Sequence, residues 1–107
     1  MFLSWGLDER PRWWVRLVFD VDRSRPRPGR PEAIQVGQAL VATGRVRAPN
    51  VRFAGGQAVL SLLVKGGDDL DATVAALAIV DSATRDAGVM VLRDLVQRAV
   101  RSREGQG

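Results

Sequence analysis

The segment Trp13-Trp14-Val15-Arg16-Leu17-Val18-Phe19-Asp20-Val21 constrains the fold more than any other part of the chain. Trp13, Val15, Leu17, Phe19 and Val21 are apolar at every second position, the period at which a strand returns its side chains to one face. A strand of this kind, read from Arg12 to Asp22, needs one face buried along its whole length. The alternate positions Trp14, Arg16, Val18 and Asp20 are mixed, so the second face is neither core nor ordinary solvated surface.

The next segments supply the partners. Arg23-Ser24-Arg25-Pro26-Arg27-Pro28-Gly29-Arg30 reads as a loop from its prolines and glycine. Pro31 suits a first helical turn, and Glu32 sits well beside the positive end of the helix dipole. Ala33, Ile34, Val36, Gly37, Leu40 and Val41 share one helical face, with Gly37 placed for close approach to a sheet and Gly44 as the stop. Arg45 to Ala54 reads as a strand interrupted by Pro49-Asn50, which belongs at a sheet edge, with room for a bulge. Gly55-Gly56 then turns tightly into Gln57-Ala58-Val59-Leu60-Ser61-Leu62-Leu63-Val64, apolar enough for a central strand.

After Gly66-Gly67, Asp68 or Asp69 caps a second helix. Ala72, Ala75, Ala76, Ile79, Val80, Ala83 and Ala87 line its inner arc, with Leu70, Val74 and Leu77 to one side. Gly88 ends it. Val89-Met90-Val91-Leu92 opens a last strand, although Leu92, Leu95, Val96, Ala99 and Val100 also fit a helical stripe. The order β-α-β-β-α-β defines an α+β, ferredoxin-like fold, with an antiparallel sheet ordered 4-1-3-2 and both helices on one face. Residues 1–11 are expected to form an arm, residues 12–101 the single domain, and residues 102–107 a disordered tail.

Composition narrows the chemistry. The 107 residues contain no histidine, cysteine or tyrosine. That excludes disulfides, thiol or Ser-His nucleophiles and Cys/His zinc sites. No catalytic residue, metal ligand or cofactor site is expected. No apolar run approaches the roughly 20 residues of a membrane helix, and the opening residues do not read as an export signal. A cytoplasmic location is therefore expected, with no membrane partner. The net charge is +4, carried by fifteen arginines and one lysine. Arginine excess fits oxyanion recognition, but the lean of the whole composition toward Arg, Ala, Gly and Val fits better a GC-rich genome whose codons favour those residues.

Two features bear on binding. With both helices on one face, Trp14, Val18, Val59 and Leu63 fall on the other, and this apolar group predicts a covering partner. A second copy of the chain, stacked sheet to sheet as a homodimer, is the simplest occupant; the alternative is the arm folding back with Phe2, Leu3 and Trp5. The second feature is the cluster Arg23, Arg25, Arg27 and Arg30, leading into a helix N-terminus that could dock a phosphate, a nucleic acid or an acidic protein.

The strand order resembles that of RNA-recognition motifs, which stack bases on aromatics of the first and third strands. Trp14 matches that pattern, whereas Ala58 to Val64 contains no aromatic residue, so the likeness is one of topology. Asp20-Val21-Asp22 and Gly66-Gly67-Asp68-Asp69 resemble strings of palm-type nucleotidyl cyclases and polymerases, which imply a two-metal centre. Here the hairpin that should carry the second acids is Ala54-Gly55-Gly56-Gln57, and the two sets lie at opposite ends of the sheet. They cannot share metal ions about 4 Å apart. Asp68, Asp69 and Asp71 read instead as cap and dipole partners, and Asp20 and Asp22 as neighbours of the arginine loop.

These readings give an ordered set of expectations. The first is a non-catalytic interaction or assembly module, homodimeric through the open face. The second is a nucleic-acid- or phosphate-binding protein using the arginine loop. The third is a cofactor-free dimeric α+β-barrel enzyme with a pocket beside Trp13 or Trp14 and Arg16.

Overall fold

In the computed structural model, residues 10–21, 29–88 and 92–102 are described. The elements are β1 (Arg12–Val21), α1 (Arg30–Ala42), β2 (Arg47–Ala54), β3 (Gln57–Lys65), α2 (Asp69–Ala87) and β4 (Leu92–Ser102). They form a four-stranded sheet ordered β2-β3-β1-β4, with every neighbouring pair antiparallel. This is the ferredoxin-like arrangement that the apolar patterns predict. The ambiguous C-terminal segment resolves as strand. Val15 and Leu17 on β1 oppose Val100 and Arg98 on β4, a ladder a helix could not make.

The register explains the core. Leu17 faces Leu60 and Val15 faces Leu62 across β1 and β3, and all four are essentially inaccessible to solvent. Alternation keeps these residues on the helix-covered face, where they join Val36 and Leu40 of α1 and Ala72, Ala76, Ile79, Val80 and Ala83 of α2. The alanines let α2 lie close over the sheet. Gly66 continues that close fit, because a Cβ built there would stand 2.8 Å from the backbone nitrogen of Ala72. The Gly66 N–H donates to the Pro11 carbonyl at 3.1 Å, and its own carbonyl accepts from Trp13 Nε1 at 2.9 Å.

The caps follow their sequence signals. Asp68 Oδ1 accepts from the Asp71 N–H, and Asp71 Oδ2 accepts from the Gly67 N–H, each at 2.7 Å. Gly88 closes α2 at φ 62°, the left-handed geometry that favours glycine. Glu32 Oε1 reaches back to the Gly29 N–H at 2.7 Å. β2 carries the anticipated irregularity: the register shifts between Arg47 and Asn50, with Ala48 at φ 50° just before Pro49. An edge strand tolerates both the bulge and the missing proline donor.

One helical expectation is narrowed and another corrected. Ile34 and Val41 share the apolar face of α1 yet are 52% and 59% exposed, whereas Val36 and Leu40 of the same face are buried. The buried strip is narrower than the apolar stripe. Gly37 allows no close approach, since a Cβ there would meet nothing within 4 Å. On α2, Leu70 and Val74 are largely exposed, as their place beside the arc allows.

Candidate interaction surface

The cross-strand register builds the helix-free face row by row. Trp14 opposes Leu63 on β3 and Arg101 on β4, while Leu63 in turn opposes Arg47 on β2. One row therefore reads Arg47–Leu63–Trp14–Arg101, with arginines at both ends of an apolar centre. At roughly 4.8 Å per strand its ends lie about 14 Å apart. The next row is Asn50–Ser61–Arg16–Ala99, and the one beyond is Arg52–Val59–Val18–Gln97. On the other side, Arg12 opposes Lys65.

All four expected face residues, Trp14, Val18, Val59 and Leu63, thus lie on one face as neighbours in two rows. Their exposure differs. Val18 and Leu63 are only 5% and 7% accessible, though neither belongs to the contiguous core, whereas Trp14 and Val59 are half-buried. The transferable apolar surface therefore centres on Trp14 and Val59. Around them stand Arg16, Arg47, Arg52 and Arg101, all exposed.

Charge is divided between the faces. Arg12, Arg16, Arg47, Arg52, Lys65 and Arg101 belong to the open face by register. Among the described residues of β1, β2 and β3, the acid that alternation places there is Asp20, in the row with Gln57, roughly 26 Å along the strands from the Arg12–Lys65 row. Exposed Asp94 lies on the irregular start of β4 near that same far end. Glu32, Asp68, Asp69, Asp71, Asp81 and Asp86 sit on the helices and their caps. The ion pair of Arg85 with Asp81 at 3.0 Å belongs to exposed α2.

Two hollows open at the cationic end. One, of about 310 Å³, is lined by Trp14, Arg16, Ser61, Ala99 and Arg101, with backbone neighbours Val15 and Val100. The other, also about 310 Å³, lies at the start of β2, at the edge between the sheet and α2: Arg10, Arg12, Arg45, Arg47 and Lys65 line it together with Leu63, Val46 and Val64 and with Ala75 and Ile79 of α2. Both volumes fall at the lower end of the range of small-ligand sites.

Of the predicted arginine-loop residues, Arg23, Arg25 and Arg27 lie outside the described residues. Arg30 is exposed at the first turn of α1. β1 ends beside the hairpin, since the Val21 N–H donates to the Gly56 carbonyl. That is the end opposite the cationic hollows. The expected arm residues Phe2, Leu3 and Trp5 also lie outside the described residues. Trp13 packs against the core and spends its indole N–H on Gly66. The Gly-Gly-Asp-Asp string caps α2, far from Asp20, and the described residues contain no group of three acids placed to hold a metal ion. No helix among them is long and apolar enough to cross a membrane.

Sequence reading located the apolar centre but missed the arginine rim. Arg12 and Arg16 were legible from the alternation of β1. Arg47 and Arg52 were hidden by the bulge, which breaks the phase of β2, and Arg101 by the helix-like spacing of the last segment. The chain matches no protein-family model, no curated protein and no solved structure.

Proposed function

We propose that this protein is a non-catalytic binding module whose helix-free sheet face holds a macromolecular partner. The observation that supports it most is the row Arg47–Leu63–Trp14–Arg101, an apolar centre with charged ends on the face that α1 and α2 leave uncovered. Interfaces concentrate binding energy in aromatic and arginine side chains surrounded by a polar rim, and this row has both residue types. The lack of histidine, cysteine and tyrosine leaves little for proton transfer or nucleophilic attack. Its expected place of action is the cytoplasm.

The test pairs substitutions on the two exposed apolar surfaces. Trp14→Glu and Val59→Glu should abolish retention of whatever the native protein holds, itself or another molecule. Ile34→Glu and Val74→Glu on the helices should leave it intact. The reverse pattern would move the docking surface to the helical layer and refute the proposal.

A second reading, self-association through the same face, is favoured by the half-exposed Trp14 and Val59. Stacking two copies would bring arginine rims together, so a dimer of this kind must strengthen as salt screens the repulsion. Sedimentation velocity over a range of protein and salt concentrations checks that sign. A monomer throughout removes this second reading.

A further inference from the structure

We infer that the partner of the open face is a single-stranded polynucleotide, with Trp14 stacking one base and Arg16, Arg101, Arg47 and Arg12 holding the phosphates on either side. This inference rests on the reading of that face as a docking surface and adds the chemistry of the occupant.

Three observations lead to it. The first is the segregation of charge, with Arg12, Arg16, Arg47, Arg52, Lys65 and Arg101 on one face. Among the described residues, the acids of that side stand at its far end, at Asp20 and Asp94. A surface arranged in this way selects a polyanion. It also disfavours a second copy of itself.

The second is the hollow beside Trp14. Trp14, Arg16, Arg101 and Ser61 are among the residues that line its roughly 310 Å³, so an aromatic ring, two cations and a hydroxyl-bearing residue border one space. A base has a flat π face for the indole, and its sugar-phosphate carries oxyanions for the arginine forks. An acidic peptide supplies charge but no planar group to stack on the indole. A duplex supplies charge but keeps the faces of its bases stacked on one another, leaving the apolar centre without a complement.

The third is the continuity of the basic track. Arg12 lies two residues before Trp14 on β1, on the same face and opposite Lys65, and Arg47 ends the row of Trp14 on β2. A strand crossing the row from β4 to β2 therefore meets cations before, beside and after the indole. With one ring on this row, the protein stacks one base and grips the backbone around it. Such binding has low sequence specificity and strong dependence on salt.

The experiment is fluorescence anisotropy of the full chain with short labelled oligonucleotides of mixed sequence. Single-stranded DNA, single-stranded RNA and the corresponding DNA duplex form separate arms, each over a range of salt. Binding of either single strand in preference to duplex is expected, weakening with salt at a logarithmic slope of about −0.7 per phosphate neutralised. Trp14→Leu should weaken binding by about tenfold, and Trp14→Phe should restore most of it. Arg16→Gln with Arg101→Gln should reduce the slope by about 1.4, two phosphates at 0.7 each. Arg85→Gln, on α2, should change nothing. Urea midpoints of all variants establish that the fold persists.

Equal or tighter binding of duplex would overturn the inference. So would an unchanged affinity in Trp14→Leu, or displacement of the oligonucleotide by polyglutamate at equal charge concentration, which would assign an acidic protein. Loss of binding on neutralising Arg23, Arg25, Arg27 and Arg30 together, with the face variants unaffected, would assign the nucleic acid to the loop instead. If no oligonucleotide binds while Trp14→Glu still abolishes retention of a native partner, the docking face stands and the polynucleotide falls. If Trp14→Glu changes neither, both fall.

Discussion

The two faces of the sheet are built from the same strands, yet they obey different rules. On the helix-covered side, Val15, Leu17, Leu60 and Leu62 are fully enclosed, and small residues of α2 close the gap above them. On the other side, the adjacent positions Trp14, Arg16, Val59 and Ser61 remain partly or wholly accessible. Local apolar content does not separate the two. Trp14 and Val18 are as hydrophobic as many core residues, and Val18 is nearly buried without belonging to the core cluster. What distinguishes the faces is the company each residue keeps. Leucine and valine meet alanine on one side. On the other, tryptophan and valine meet arginine.

The largest expected effect tests the enclosed side. Leu60→Ala should cost about 2–5 kcal/mol, because the space between α2 and the sheet is too tightly fitted to collapse. Val59→Ala, one residue earlier and facing the other way, should cost under about 1 kcal/mol. Urea denaturation of both variants measures the contrast. Equal losses would show that the two faces are energetically alike.

Gly66→Ala is expected to come next. Its methyl group would press on the Ala72 backbone, and overpacking of this kind costs about 1–3 kcal/mol. Differential scanning calorimetry should show a lower midpoint. An unchanged midpoint would mean that α2 can lift from the sheet freely.

Thr73→Val examines the polar tie between the layers. Arg98 Nη1 donates to Thr73 Oγ1 at 2.8 Å, joining β4 to α2. Losing that acceptor should cost about 1 kcal/mol. Slowed exchange of the β4 amides in that variant would contradict the role given to the contact.

The smallest effect belongs to the open face itself. Arg16→Gln should change stability by no more than about 0.5 kcal/mol, since Arg16 is exposed and its role is proposed to be in binding. A large loss of stability would mean that the arginine rim holds the fold together, and the contrast between the faces would weaken accordingly.

Much of this architecture was legible in local patterns. The period-two run from Trp13 to Val21 named β1 and its buried face, and Gly55-Gly56 named the hairpin. Asp68 and Gly88 marked the ends of α2. In α1, pattern exceeded contact: Ile34 and Val41 lie on the apolar stripe, but within it Val36 and Leu40 are the residues that are buried. The C-terminal segment was ambiguous because Leu92, Leu95, Val96, Ala99 and Val100 satisfy a helical period. Only pairing with β1 decides that they belong to a strand.

The sequence by itself determined the first five elements, their order and the side of β1 that must be enclosed, because these depend on residue spacing along a short stretch of backbone. Tertiary structure alone decided that Arg47, Arg52 and Arg101 would join Arg12 and Arg16 on one face, since strand pairing brings together residues far apart in the chain. A shift of one residue in any strand would send its arginines to the opposite side. The surface charge pattern is thus a property of register, which the linear chain does not display.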